Sequence, residues 1–92
     1  RLRGGLSMKI RKHLDKLSRL MGLGEDADRE QIKKLRKVLK ALKSDQDKLQ
    51  LKLAEAEGEH ERRKLGQKLE VIRLQREKGV ELYQTLKASR SD

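Results

Sequence analysis

Residues 32–56 read IKKLRKVLKALKSDQDKLQLKLAEA, and this stretch decides the fold. Counted in heptads, seven of its eight a and d positions are apolar, and Gln46 is the polar exception. The a positions are Ile32, Leu39, Gln46 and Leu53, and the d positions are Leu35, Leu42, Leu49 and Ala56. An apolar stripe with a 3.5-residue repeat is typical of a helix that faces another helix, and a polar position within it can fix register and partner number. The sequence therefore predicts one long helix packed along its leucine side.

The leucine repeat slips at Gly58. A new repeat starts at Leu65, and it is offset by two residues from the first. On a continuous helix this offset would turn the apolar stripe by about 200°, at about 100° per residue, and so to nearly the opposite side. We therefore expect a tight turn near Gly58 between two antiparallel helices, at about residues 28–57 and 60–88. A single helix that continues through residue 88 is the alternative.

A shorter amphipathic helix is predicted before the hairpin, at about residues 7–21. Its apolar side chains are spaced so that they share one helical face. They are Ile10, Leu14, Leu17 and Met21. Ser7 is suited to cap the N-terminus of this helix, and Gly22 and Gly24 are suited to end it. Asp28 then begins the pattern of a capping box for the next helix.

These patterns predict an all-α fold, an antiparallel, coiled-coil-like helical hairpin with a short N-terminal amphipathic helix, which assembles into a helix bundle. We expect the first helix to cover the end of the hairpin built from residues 28–43 and 73–88. The remaining hairpin, about residues 44–72, would project and pair with a second copy, so a homodimer is the first choice. The side chains expected at the seam with an oligomer partner are Ile32, Leu35, Leu39, Leu42, Leu49, Leu53, Leu65, Leu69, Ile72, Tyr83 and Leu86.

The composition supports a small helical protein. Only 34% of the 92 residues are hydrophobic, 43% are charged, and Tyr83 is the single aromatic residue. Such a thin core usually needs help from oligomerisation. The chain contains no cysteine, which fits a reducing compartment, and we expect a cytoplasmic location. No apolar run approaches the roughly 18 residues of a membrane-spanning helix, so no membrane span is predicted.

Residues 1–7 are interpreted separately from the helical segments that follow. Arg1–Gly5 reads RLRGG, which resembles the last five residues of ubiquitin, and Met8 follows three residues later. We interpret residues 1–7 as a remnant of fusion or cloning and residues 8–92 as a single helical domain. A chance match in an arginine- and glycine-containing arm is the alternative.

The formal net charge is +10, and the basic residues are concentrated in bands along the chain. Residues 29–43 carry seven basic side chains against one acidic one, whereas residues 45–61 are mainly acidic. The basic band could follow a phosphate backbone through contacts that weaken with salt. It lacks stacking aromatic residues and a base-reading pattern, so it predicts contact without sequence specificity, with nucleic acid or with an acidic protein. The possible phosphate contacts are Lys33, Lys34, Lys37 and Lys40.

No sequence pattern indicates catalysis. The chain has no cysteine nucleophile and no glycine-rich phosphate loop, so we expect neither an enzyme nor a cofactor. Glu57 and His60 match the Glu-x-x-His pattern of helical metal sites. We interpret them as solvated turn residues, because Gly58 between them would loosen the ligand geometry and no second ligand set is present. We interpret His13 as a surface residue of the first helix.

The function predicted from these observations is that of a small basic structural or adaptor protein, which acts through self-association and protein–protein contacts. The alternative is a nucleic-acid-binding protein without sequence specificity that uses the basic face of residues 29–43. Helical seams and charged faces serve both functions, so the sequence leaves the partner open.

Overall fold

The computed structural model describes residues 7–90, and within them it contains helices and no strand. The helices are α1 (Met8–Leu23), α2 (Arg29–Glu55) and α3 (Glu59–Arg90), with a short 3-10 turn at Gly24–Asp26. The predicted fold class, an all-α helical hairpin with a short N-terminal helix, is confirmed. Each helix limit differs from its predicted position by one or two residues. The interpretation of the N-terminal arm as a fusion remnant concerns residues that lie almost entirely outside the described range.

The helix ends follow the local capping chemistry. The Ser7 hydroxyl accepts a hydrogen bond from the Ile10 amide (3.2 Å), and Asp28 forms a complete capping box with Gln31. Between these caps, α1 passes through Gly22 and ends at Leu23, because Gly24 takes the positive φ (54°) that ends the helix. Glycine adopts this conformation without the steric penalty of a side chain. Gly22 was expected to help end the helix and instead lies inside it.

The hairpin turn lies at Ala56–Gly58, between the end of α2 and the start of α3. Ala56 is extended (φ −68°, ψ 135°), which interrupts the helical hydrogen-bond pattern. The Arg62 guanidinium then reaches back and donates to the carbonyl oxygens of Leu53 (3.1 Å) and Ala56 (3.2 Å). These bonds satisfy carbonyl groups that the end of a helix leaves without an intrahelical partner. The turn predicted near Gly58 is confirmed, and the single continuous helix is wrong.

The core lies where α1 covers the hairpin. Leu17 of α1, Leu42 of α2 and Ile72 of α3 are each fully buried. Across the hairpin, the Arg76 guanidinium donates to the Leu39 carbonyl oxygen (3.1 Å), which shows that these positions of α2 and α3 lie level. Gln46, the polar residue of the leucine repeat, is half-buried in this interface. One long seam therefore joins α2 and α3, as the heptads predict.

The position of α1 along the hairpin differs from the prediction. Its first turns reach Asp45 and Leu49 of α2 and Lys68 of α3, beyond residues 28–43 and 73–88. The reason lies in the connection to α2. His13 lies ten residues before the end of α1, whereas its partner Asp45 lies sixteen residues after the start of α2, so residues 24–28 span the difference along the bundle, about 9 Å at about 1.5 Å per residue. The uncovered end of the hairpin is consequently shorter than residues 44–72. Within residues 7–90, no helix combines the length and the apolar character needed to cross a lipid bilayer.

Candidate binding surfaces

The predicted oligomer seam lies inside the single chain. Nearly all of its side chains are buried in the core, and the two exceptions, Leu53 and Tyr83, are half-buried and pack against it. The buried members are Ile32, Leu35, Leu39, Leu42, Leu49, Leu65, Leu69, Ile72 and Leu86. Because these side chains pack α1, α2 and α3 of one molecule together, their first role is to hold the monomer's fold.

The four lysines predicted to contact phosphate are all exposed on α2. At about 100° per residue they spread over roughly 120° of the helix surface, and this surface is convex. Among the described residues, none of the four forms an ion pair, whereas the neighbouring Lys43 bonds to Asp47 (2.9 Å). The four are Lys33, Lys34, Lys37 and Lys40. They form an outward-facing set of free positive charges, which we call the α2 lysine face.

The predicted metal-ligand pattern lies at the tip of the hairpin. Glu57 belongs to the turn, His60 belongs to the first turn of α3, and both side chains are exposed. Within residues 7–90, no three His, Cys, Asp or Glu side chains are grouped closely enough to hold a metal ion.

The strongest polar contact between helices joins His13 of α1 to Asp45 of α2. The His13 Nδ1 and Asp45 Oδ2 atoms are 2.6 Å apart, and Asp45 is only 5% exposed. His13, which we expected on the surface, is half-buried for this reason. A carboxylate in such a position needs a hydrogen-bonding or charged partner, since an isolated buried charge is costly. The pair fixes the angular position of α1 on α2.

A second group of lysines, not predicted from the sequence, lies beside Asp45 of this pair. Lys48 and Lys52 follow Asp45 by three and seven residues, so they lie on the side of α2 that faces α1. Together with Lys9 of α1 and Lys68 of α3 they line one cleft, above the buried side chains of Ile10 and Leu49. We call this site the lysine cleft and define it by Lys9, Lys48, Lys52 and Lys68. The spacing from Asp45 was visible in the sequence, but the contribution of three helices becomes visible only once they are placed.

An apolar groove lies on the opposite side of α1, between α1 and α3. Met8 (74% exposed), Leu14 and Val71 (44% exposed) line it together with Arg11, Lys12 and Asp15, and the Asp15 carboxylate pairs with Arg19 (3.6 Å). Leu74, one turn beyond Val71, is also 44% exposed and extends the apolar surface along α3. We call this surface, defined by Met8, Leu14 and Val71, the α1–α3 groove. Its mixture of apolar and basic side chains is suited to a partner that is both apolar and acidic.

The basic side chains of α3 include one that is held by its own helix. Arg73 bonds to Glu70 (2.8 Å) and to Glu77 (2.9 Å). The hydrogen bond to Glu70, followed by the negative charges of Glu70 and Glu77, raises the pKa of the Arg73 guanidinium above its ordinary value. This cation is therefore engaged locally, unlike those of the α2 lysine face.

Comparison with models of protein families, with curated proteins and with solved structures finds no match to this chain.

Proposed function

We propose that this protein is a non-enzymatic binding module of the adaptor type, which recognises an acidic partner through the outer surface of its three-helix bundle. The observation that carries the proposal is the α1–α3 groove, where exposed apolar side chains lie beside Arg11 and Lys12, and the α2 lysine face adds unpaired positive charge to the surface of the bundle. A folded helix holds such charges at fixed spacing, which lowers the conformational cost of binding. Complementary charge then increases the rate of encounter and selects against basic partners.

An acidic amphipathic helix of another protein is the partner that we propose. The α1–α3 groove offers apolar contact at Met8 and Val71 and positive charge at Arg11 and Lys12. A helix with apolar residues on one side and carboxylates on the other would match both properties. It would lie beside α1 and α3 and complete a four-helix arrangement. We place the protein in the cytoplasm, on the basis of its cysteine-free sequence.

Self-association remains a prediction, and the apolar surface available for it is smaller than expected from the sequence. The leucine seam is occupied within the chain, and the large apolar side chains that are exposed in the described residues are Met8, Leu51, Val71 and Leu74. The net charge of +10 also makes two copies repel each other. Sedimentation across a range of protein concentrations measures this directly: a mass that stays at one chain would contradict the predicted homodimer.

Nucleic-acid binding is the second candidate, and the same α2 lysine face is the observation in its favour. Each lysine that neutralises a phosphate of duplex DNA would add about −0.9 to the slope of log affinity against log salt concentration. Affinity would therefore fall steeply as salt is added. Against this candidate, Tyr83 is half-buried, so no aromatic side chain among the described residues is fully exposed for stacking on bases. We therefore expect only weak duplex binding at physiological salt.

The experiment compares two defined probes by fluorescence anisotropy at physiological salt: an acidic amphipathic helical peptide and a short DNA duplex. Val71→Asp should weaken peptide binding at least tenfold, because it places a negative charge in the α1–α3 groove, and should change duplex binding little. The matched control is Gln84→Asp, which adds the same charge at an exposed position of α3 outside the groove.

Replacing Lys33, Lys34, Lys37 and Lys40 together by glutamate should weaken the binding of both probes, because it reverses the shared positive field. Sub-micromolar duplex binding that this fourfold variant abolishes, combined with no peptide binding, would reverse the order of the two candidates. Peptide binding that Val71→Asp and Gln84→Asp weaken equally would show that the groove is not the docking surface.

A further inference from the structure

The lysine cleft brings four positive charges from three helices to one place. Lys9 comes from the first turn of α1, Lys48 and Lys52 from successive turns of α2, and Lys68 from α3. The positions are separated by up to 59 residues in sequence, so local helix patterning does not explain the cluster. Like charges placed together repel, and this repulsion opposes folding unless counter-charge is supplied.

The acidic residue that borders the cleft is already engaged. Asp45 is 5% exposed, and its carboxylate bonds to His13 at 2.6 Å on the α1 side. Among the described residues, none of the four cleft lysines makes an ion pair. By contrast, Lys43, close to Lys48 on α2, is paired with Asp47. The four cleft lysines therefore bring positive charge together without a carboxylate of residues 7–90 paired to any of them.

The shape and chemistry of the cleft indicate the class of ligand. Its four lysines line it together with Ser7 and Asp45, and lysine side chains present compact positive charges on long, adjustable stems suited to phosphate oxygens. Its floor is the apolar, buried pair Ile10 and Leu49, and no aromatic side chain lines it on which a base could stack. A duplex requires an extended surface, whereas a chain of phosphates concentrates several charges in a small volume.

We infer that the lysine cleft is a binding site for a compact oligophosphate group, held by Lys9, Lys48, Lys52 and Lys68. Several phosphate oxygens can then face lysine ammonium groups from all three helices. Because only the folded chain brings lysines of all three helices together, the ligand stabilises the fold, and this stabilisation rises with the logarithm of its concentration above the dissociation constant. This site lies on the other side of α1 from the α1–α3 groove, so it does not depend on the proposed protein partner.

The test uses tripolyphosphate as the probe, with the full chain at physiological salt. Titration calorimetry should give saturable binding, and the melting temperature should rise with tripolyphosphate concentration. Lys48→Gln with Lys52→Gln should weaken binding at least tenfold and remove most of the melting-temperature rise. The matched control, Lys78→Gln with Lys87→Gln, removes the same charge from exposed positions of α3 outside the cleft and should change affinity less than twofold. Circular dichroism should show equal helix content in the two double variants.

The result has clear alternatives. Equal weakening in the two double variants would show that binding follows net charge, and it would overturn the site. Absence of saturable binding at millimolar tripolyphosphate would also overturn it. A nucleoside triphosphate that binds as tightly as tripolyphosphate identifies the phosphate chain as the recognised group. A DNA duplex that binds more tightly than tripolyphosphate and loses affinity equally in both double variants would overturn the inference. Val71→Asp should leave tripolyphosphate binding unchanged, which separates this site from the proposed function.

Discussion

Replacing Gly79 by alanine perturbs the place where α1 and α2 both approach α3. Gly79 is buried, and a Cβ atom added there would lie 2.8 Å from Leu39 Cδ2 and 2.9 Å from Leu17 Cδ1. Favourable carbon–carbon contacts lie at about 3.5–4.0 Å, so these approaches are repulsive. Leu17 is 0% and Leu39 is 5% exposed, so neither side chain has open space into which it can move. The new methyl group must therefore displace α1 or force the leucines from their preferred rotamers.

The size of the effect follows from a comparison within the same helix. Gly66 also lies inside α3, and a Cβ atom there would meet nothing within 4 Å. Exchanging glycine for alanine in a helix interior gains about 0.5–1 kcal/mol through backbone propensity. Both variants have this gain, so it cancels when the free energy of unfolding of Gly79→Ala is compared with that of Gly66→Ala. The remaining difference is the overpacking cost, about 1–3 kcal/mol in a well-packed core.

Urea unfolding followed by circular dichroism measures both variants. We expect Gly66→Ala to be more stable than the parent protein and Gly79→Ala to be less stable than Gly66→Ala by that difference. Each 1 kcal/mol corresponds to about 4–8 °C in melting temperature for a domain of this size. Equal stability of the two variants, with equal denaturant dependence, would refute the packing of α1 against α3 at this position.

Four further substitutions test other parts of the structure. Leu42→Ala should lower the free energy of unfolding by about 2–5 kcal/mol, because Leu42 is fully buried. This loss should be the same at every protein concentration. A loss that becomes smaller at high concentration would instead place Leu42 at an interface between chains. His13→Ala should cost about 1–3 kcal/mol, since it leaves the buried Asp45 carboxylate without its partner. Asp45→Ala should cost less, because the half-buried His13 can reach water, and the opposite order in urea unfolding would contradict the pairing. Asp28→Ala should cost about 1 kcal/mol by removing the cap of α2, measured as a lower melting temperature with unchanged core packing.

The hairpin could be predicted from the sequence because two independent signals agree on it. The heptads of residues 32–56 determine which side of α2 is buried, and the two-residue slip near Gly58 excludes a continuous seam. The helix caps at Ser7 and Asp28 could also be predicted, since capping depends on groups only three residues apart. What the repeat could not determine was whether the leucine seam would be closed by the same chain or by a second copy. A heptad pattern describes the face of a helix and leaves its partner open.

The binding surfaces were harder to predict, because they depend on how far α1 reaches along the hairpin. The placement of α1 depends on the path that residues 24–28 take along the bundle, and no periodic pattern in the sequence predicts this path. Lys48 and Lys52 lie in a band of the sequence that is mainly acidic, so no pattern along the chain groups them with Lys9 or Lys68. Only the fold brings them beside Lys9 and Lys68. His13 was also expected on the surface, because its partner, Asp45, is 32 residues away in the chain.

In this fold, one chain folds back on itself and closes the leucine seam with its own α3. The most direct test is the distance between spin labels attached at Lys40→Cys and Leu74→Cys, both exposed positions in a chain that has no cysteine of its own. An excess of unlabelled protein removes distances between molecules. The hairpin predicts a single distance below about 30 Å, from helix diameters of about 10–12 Å and the label linkers. A distance near 51 Å, which a straight helix of about 1.5 Å per residue would give between these positions, would contradict it.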